Sequence, residues 1–296
     1  MADSGLKKID RSIFQDWDHI IRGEINADLL VLGSSRGAVG YDPSVLEEQL
    51  GLSSFNLSFN AGSYNLQEVK LEAYVENNEP PKMIIHNLDL AHFVSSKEVP
   101  ERYQFLPFLE NKYLREELNS IDPHFGRHAW VTLLKYNHYK PLLVKGIFSF
   151  FGKSYSIYPT EKGFTPYDKN FERDVNNLKR LELENLKPLN ISRYRDGLNH
   201  TRFFLQKKIP LQKKVFLVWA PELKERAIIS SPLRKLIIAE IHNITSDLPN
   251  VHFLDFSQDE MSGNPEFFYD TFHLNKAGAT YFTYKLSSEI SRILEN

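Results

Sequence analysis

The sequence predicts an α/β fold on a mostly parallel, five-stranded sheet covered by helices on both faces. Three observations predict it. Five short strand-like runs recur along the 296 residues, segments with helical spacing lie between them, and the first three runs each end in polar turn residues. Strand and helix alternating through right-handed crossovers give a parallel sheet buried on both sides, which is why most of the runs are continuously apolar.

Ile13, Trp17, Ile20 and Ile21 share one side of a helix that leads into the first strand. That strand, Leu29-Leu30-Val31-Leu32, runs straight into Gly33-Ser34-Ser35-Arg36-Gly37. After a loop holding Gly37 and Gly40, Asp42-Pro43 starts a helix, an N-cap side chain followed by proline at the first helical position, and Gly51 stops it. Phe55-Asn56-Leu57-Ser58-Phe59 alternates as a second strand and ends in Asn60-Ala61-Gly62-Ser63. A helix carrying Leu66, Val69 and Ala73 is closed by Glu79-Pro80-Pro81, and the third strand, 82–89, ends in His86-Asn87-Leu88-Asp89.

Over residues 93–173 this rhythm lapses. Prolines at 100, 107, 123, 141, 159 and 166 punctuate an aromatic-rich run that includes Tyr103, Phe105, Phe108, Trp130 and Tyr136. The segment reads as a partly helical insertion packed over the active edge of the sheet, either a lid with aromatic walls or a satellite core. The rhythm resumes with helical material over 175–205, broken near Pro188. A fourth strand follows at 215–220, then a helix marked by Leu233, Leu236, Ile237, Ile241 and Ile244, and a fifth strand at 251–256. The last helix carries Ala279, Phe282, Leu286, Ile290 and Ile293 at spacings of three and four. The expectation is one domain over 1–296 with 93–173 inserted.

Composition narrows the partners. A net charge of -2 gives no global attraction to nucleic acid or to anionic lipid. With no cysteine, disulfides, thiolate metal sites and Cys nucleophiles are excluded. No run approaches the ~20 apolar residues of a membrane span, and 1–8 lack an apolar signal core. The expectation is a chain soluble as written, and extracytoplasmic if a signal or anchor precedes it.

The chemistry starts at the turn after the first strand, where open α/β sheets place their ligands. Serine is a weak nucleophile at neutral pH unless a base takes its proton, and that base works best when a carboxylate holds its tautomer. Asp270 and His273, three residues apart before the last helix, supply both groups and can reach the same edge as Ser35. Gly33-Ser34-Ser35-Arg36-Gly37 also matches the G-x-S-x-G elbow of α/β-hydrolases. The serine's place after the first strand, with acid and base on one turn, argues against that fold.

These residues together resemble the SGNH, or GDSL-type, hydrolases, most of all the envelope-associated branches that act on acylated polysaccharides. Gly33-Ser34-Ser35 matches block I with Ser34 at the family's aspartate, Gly62 matches the block II glycine, and Asp270-x-x-His273 matches block V. The resemblance covers about 28–90 and 213–294. It implies a three-layer α/β/α flavodoxin-like sandwich and an acyl-serine mechanism needing no metal or organic cofactor, on a small-molecule or glycan acyl ester. Ser35 would be nucleophile, His273 base and Asp270 its orienter, with an oxyanion hole from the amides of Ser35 and Gly62 and the Asn87 side chain. Block III departs from the family's Gly-x-Asn-Asp. Asn87 stands for the asparagine in one register; if Asp89 holds the family's aspartate, Leu88 falls on that position instead.

Ser34 and Arg36 are the candidate substrate-binding residues, Arg36 as a cation beside the nucleophile that attracts an anionic substrate. Blander readings stand beside these: Ser34-Ser35 serve only a helix turn, Asp270 caps a helix and Arg36 is solvated. His124 and His128 have metal-ligand spacing, but Pro123 and Gly126 break a regular helix there. His86 and His252 read as hydrogen-bonded core residues. Two other function classes remain: an SGNH-like fold that only binds glycan or a partner protein, and a phosphate-binding module, which lacks both GxGxxG and a Walker lysine.

Overall fold

The computed structural model describes residues 1–127, 130–187, 189–210 and 212–295. Five strands, β1 (Leu29–Leu32), β2 (Ser54–Asn56), β3 (Met83–Leu88), β4 (Lys214–Trp219) and β5 (Val251–Asp255), form one parallel sheet in the order β2-β1-β3-β4-β5. Helices α1 (Ala2–Leu6) and α2 (Ile13–Arg22) precede it, α3 (Ser35–Gly40) and α4 (Pro43–Leu50) follow β1, and α5 (Tyr64–Asn77) follows β2. Between β3 and β4 lie α6 (Lys112–Ile121), α7 (Thr132–Lys135), α8 (Lys140–Phe150), α9 (Val175–Asn185) and α10 (Arg195–Phe203). After β4 and β5 come α11 (Lys224–Thr245) and α12 (Lys276–Leu294).

Side chains alternate across each strand, so neighbours in one strand feed different layers. Leu30, Leu32, Ile84 and Leu217 pack with Trp17, Leu66, Tyr74, Ile237 and Ile241 on the face of α2, α5 and α11. Leu29, Val31, Ile85 and Phe216 pack with Leu46, Phe282, Leu286 and Ile290 on the face of α4 and α12. The fold is therefore the three-layer α/β/α sandwich, and the strand order reverses at β1. From β1 the chain steps to β2 on one side and then crosses to β3 on the other, which opens a crevice at the C-terminal ends of β1 and β3.

Three expectations change. Strand β2 stops at Asn56, whose side-chain amide donates to the carbonyls of Gly37 (2.9 Å) and Tyr41 (3.1 Å) and turns the chain toward the first loop. The loop expected around Gly37 is helix α3, and Gly37 is needed there because a Cβ would strike the Ser58 side chain. Most of the insertion also lies elsewhere than over the active edge. Phe105, Phe108, Leu114, Leu118, Phe125 and Tyr136 join the core of α2 and α5, because that layer supplies the apolar surface these rings need. Its two ends do reach the edge: Ser96 N–H donates to Ser63 Oγ at 3.1 Å, Thr165 N–H to the Ala38 carbonyl and Lys276 N–H to that of Tyr167. Pro188 and His128 lie outside the described residues.

Candidate active site

Helix α3 begins directly at the end of β1, with Ser34 extended at its N-cap and Ser35 as its first residue. An N–H at the first helical position has no carbonyl partner within the helix, so that of Ser35 is left for other use. At the same edge, the turn before α12 is closed by Asp270, whose Oδ1 accepts the N–H groups of Phe272 and His273, both at 2.7 Å. This turn leaves the second carboxylate oxygen pointing back at the imidazole. Asn275 then caps α12 by accepting from Gly278 N–H at 2.9 Å, which fixes where the turn ends.

The structure brings Ser35, His273 and Asp270 together. Ser35 Oγ lies 2.8 Å from His273 Nε2, and His273 Nδ1 lies 2.8 Å from Asp270 Oδ2. Burial pushes the Asp270 carboxyl up, but the hydrogen bond and charge of His273 and the two backbone amides outweigh it, so the group sits below its ordinary value. An ionised Asp270 can only accept, which puts the proton of neutral His273 on Nδ1 and leaves Nε2 to accept from the Ser35 hydroxyl. Tyr269 stacks on the imidazole at 5.2 Å between centroids, with planes 2° apart, and Phe272 meets it edge-on at 4.9 Å. Both histidine and aspartate side chains keep some exposure, 17% and 23%, so a ligand can reach them from solvent.

The remaining site residues stand differently. Asn87 is fully buried, its Oδ1 accepts from Tyr41 Oη at 2.8 Å, and its Nδ2 has no hydrogen-bond partner. A Cβ at Gly33 would come within 2.9 Å of Asn87 Cβ, which places this amide directly under the nucleophile turn. Leu88 faces the opposite layer, in the core of α2 and α5, and Asp89 accepts from Ser34 Oγ and from the amides of Ala91 (2.8 Å) and His92 (3.0 Å). Gly62 N–H already donates to the Phe59 carbonyl at 3.1 Å.

Ser34 and Arg36 are corrected as substrate-binding residues. Ser34 is 2% exposed and spends its hydroxyl on Asp89. Arg36, 3% exposed, donates to the carbonyls of Ala220 (2.6 Å) and Pro221 (2.7 Å) and pairs with buried Glu222 at 3.5 Å. Its role is to tie α3 to the end of β4, because a buried guanidinium must find acceptors. Sequence reasoning missed Tyr41, Glu222 and Tyr269; nothing in their local pattern distinguishes them from core or surface residues. His86 and His92 are buried around Gln67, and burial pushes both below their ordinary range. Among the described residues no group of three or more histidines or acids could hold a metal, and no helix is long and apolar enough to cross a membrane.

No protein-family model matches the chain, and no curated protein matches it. Among solved structures it is similar to a family two carbohydrate esterase from Clostridium thermocellum in complex with cellohexaose, at 11% identity and a TM-score of 0.36. That match covers 90% of this chain, and the chain spans 64% of the length of that esterase. A provisionally assigned platelet activating factor from Streptococcus pneumonia matches at 12% identity over 96% of this chain and 93% of its own, with a TM-score of 0.42.

Proposed function

We propose that the protein is a serine acyl-ester hydrolase or acyltransferase working through an acyl-serine intermediate, on an O-acylated carbohydrate or another acyl ester. The observation that carries this reading is the relay from Ser35 through His273 to Asp270, with both contacts at 2.8 Å. Ser35 Oγ attacks the ester carbonyl carbon while His273 Nε2 takes the hydroxyl proton. The bond to the alcohol oxygen breaks, and the imidazolium gives that oxygen the proton. Water or a sugar hydroxyl then attacks the acyl carbon, its proton passes to Nε2, and Ser35 departs with it. Asp270 stabilises the imidazolium in both halves. The oxyanion is received by the Ser35 N–H and Asn87 Nδ2, with the Gly62 N–H joining once it turns from Phe59. As written, these steps use no metal or organic cofactor.

The bond from Gly62 to Phe59 favours one second reading, an SGNH-like fold that binds glycan or a partner protein without turnover. Mixing with p-nitrophenyl acetate separates the two. The enzyme reading expects a burst of one p-nitrophenol per chain and a serine-directed phosphonate attached to Ser35. Both are lost in Ser35→Ala and His273→Ala, and Asp270→Asn lowers kcat by about 10⁴-fold. A wild-type protein that gives neither burst nor label overturns it.

A further inference from the structure

Beside the relay runs a cleft of about 440 Å³ whose walls include Ala61, Phe272, Arg226, Arg180, Arg193 and Tyr194. Ala61 precedes Gly62 and Phe272 precedes His273, so the cleft lies next to the reacting groups. Phe272 also links the two regions physically. Its ring meets the His273 ring at 4.9 Å between centroids and the Arg226 guanidinium at 4.0 Å.

Arg226 is only half satisfied. It is 7% exposed, its Nε donates to Glu222 at 3.1 Å, and its Nη1 is buried without a hydrogen-bond partner. Glu222 cannot neutralise its surroundings alone, because the same carboxylate faces Arg36 at 3.5 Å. Buried Arg234 stands two turns further along α11, where its Nη1 donates to Ser230 at 2.8 Å. Glu222 is shared by two guanidiniums, and although the charges of Asp89 and Asp270 also act on Arg226, its Nη1 keeps no acceptor, which is costly unless a ligand oxygen completes it. At the rim, exposed Arg180 and Arg193 add two cations and Glu184 one acid. A planar guanidinium with free N–H groups matches the paired oxygens of a carboxylate, phosphate or sulfate.

We propose that this cleft is an anion subsite of the same active centre. It takes a carboxylate, phosphate or sulfate group carried by the ester substrate, with Arg226 as the inner donor and Arg180 and Arg193 at the rim. The proposal rests on the esterase reading for its location and names the substrate class that reading leaves open: an acyl ester that bears an anionic group, on its acyl or its alcohol part. A neutral ester fills the relay but leaves Arg226 Nη1 without an acceptor.

Two measurements test it. Calorimetric titration of the Ser35→Ala protein with inorganic phosphate reads the subsite without catalysis. Phosphate is expected to bind, with affinity falling about tenfold or more in Arg226→Gln. The double variant Arg180→Gln/Arg193→Gln, both at exposed positions, is expected to weaken binding in the same direction and covers a failure of Arg226→Gln to fold. Steady-state kinetics then compare p-nitrophenyl acetate with mono-p-nitrophenyl succinate, charged on the acyl side, and 4-acetoxybenzoate, charged on the alcohol side. One charged ester is expected to lose its advantage over the neutral one in the rim variant, through KM rather than kcat; which one does so tells where the anion is carried. Absence of phosphate binding, or a charged-to-neutral ratio equal in wild type and rim variant, overturns the subsite even while p-nitrophenyl acetate still acylates Ser35. Phosphate binding that depends on Arg226, in a protein that never acylates, sustains the anion site and overturns the esterase reading.

Discussion

Asn87 carries a side-chain amide buried in the core with only half of its hydrogen bonding met. The bond from Tyr41 Oη holds Oδ1, so Nδ2 is directed away from Tyr41 under the Gly33 backbone. Burial pushes the Tyr41 phenol far up, so it stays a donor at any working pH. An unpartnered buried amide costs about 1–3 kcal/mol, a cost that is offset in an enzyme if the donor is spent on the transition state. Asn87→Ala is therefore expected to lower kcat for p-nitrophenyl acetate about 10²–10³-fold with KM little changed. A kcat equal to wild type would show that Nδ2 takes no part. Tyr41→Phe, which releases the amide from its anchor, is expected to lower kcat in the same direction but by less. The association of Ser35 with Asp270 and His273 is legible in the sequence, because a strand-end turn and a three-residue acid–base spacing are local features. The commitment of Ser34 to Asp89 and of Arg36 to Glu222 is not legible, since each partner lies more than fifty residues away.

Among the elements, α1 and α8 show a contact that sequence periodicity does not reveal. Gly5 and Gly146 face each other so closely that a Cβ at Gly5 would strike the Gly146 carbonyl. A Cβ at Gly146 would come within 2.5 Å of the Ala2 carbonyl and 3.0 Å of Leu6 Cγ. Asp3 adds polar ties across the same junction, accepting from Lys135 Nζ at 2.5 Å and from Tyr136 Oη at 2.7 Å. The insertion is thereby pinned to the first helix as well as to α2 and α5. Gly146→Val is expected to cost about 1–3 kcal/mol by overpacking this crossing. The cost should appear as a lower urea midpoint and as faster proteolysis within residues 1–10, whereas an unchanged midpoint would mean that the crossing has room to give.

For the whole molecule, stability should carry the mark of two opposed buried charges. Burial pushes the Asp16 carboxyl up from 3.8 to about 6 against the pull of Lys70, and pushes Lys70 down from 10.5 to about 8 against that of Asp16. Lys70 Nζ sits 5.4 Å from the Trp17 ring and 3.4 Å from the Ser58 carbonyl, in the core that joins α2 to α5. Between about pH 4 and 6 the folded chain holds a proton on Asp16 that the unfolded chain has released, so this contribution is present at low pH and lost as pH rises through 6. Between about pH 8 and 10.5 the unfolded chain holds a proton that folded Lys70 has released, so stability rises with pH across that window. Urea unfolding followed across both windows is expected to lose the first slope in Asp16→Asn and the second in Lys70→Met. Slopes that survive these substitutions would place the linkage elsewhere.

Most of the framework follows from the chain's local pattern: five strands, the helices between them, and serine, aspartate and histidine at turns on one edge. Those features depend on residues that are neighbours in sequence, through apolar periodicity, caps and breakers. The tertiary structure alone decided which polar groups are already spent and which are left over. Arg36 and Ser34 are consumed inside the core, the insertion turns to the α2 and α5 face, and Arg226 keeps a buried N–H without an acceptor. The physical reason is that a buried donor is satisfied by whatever acceptor the fold brings within reach, and that partner is set by the packing of distant segments.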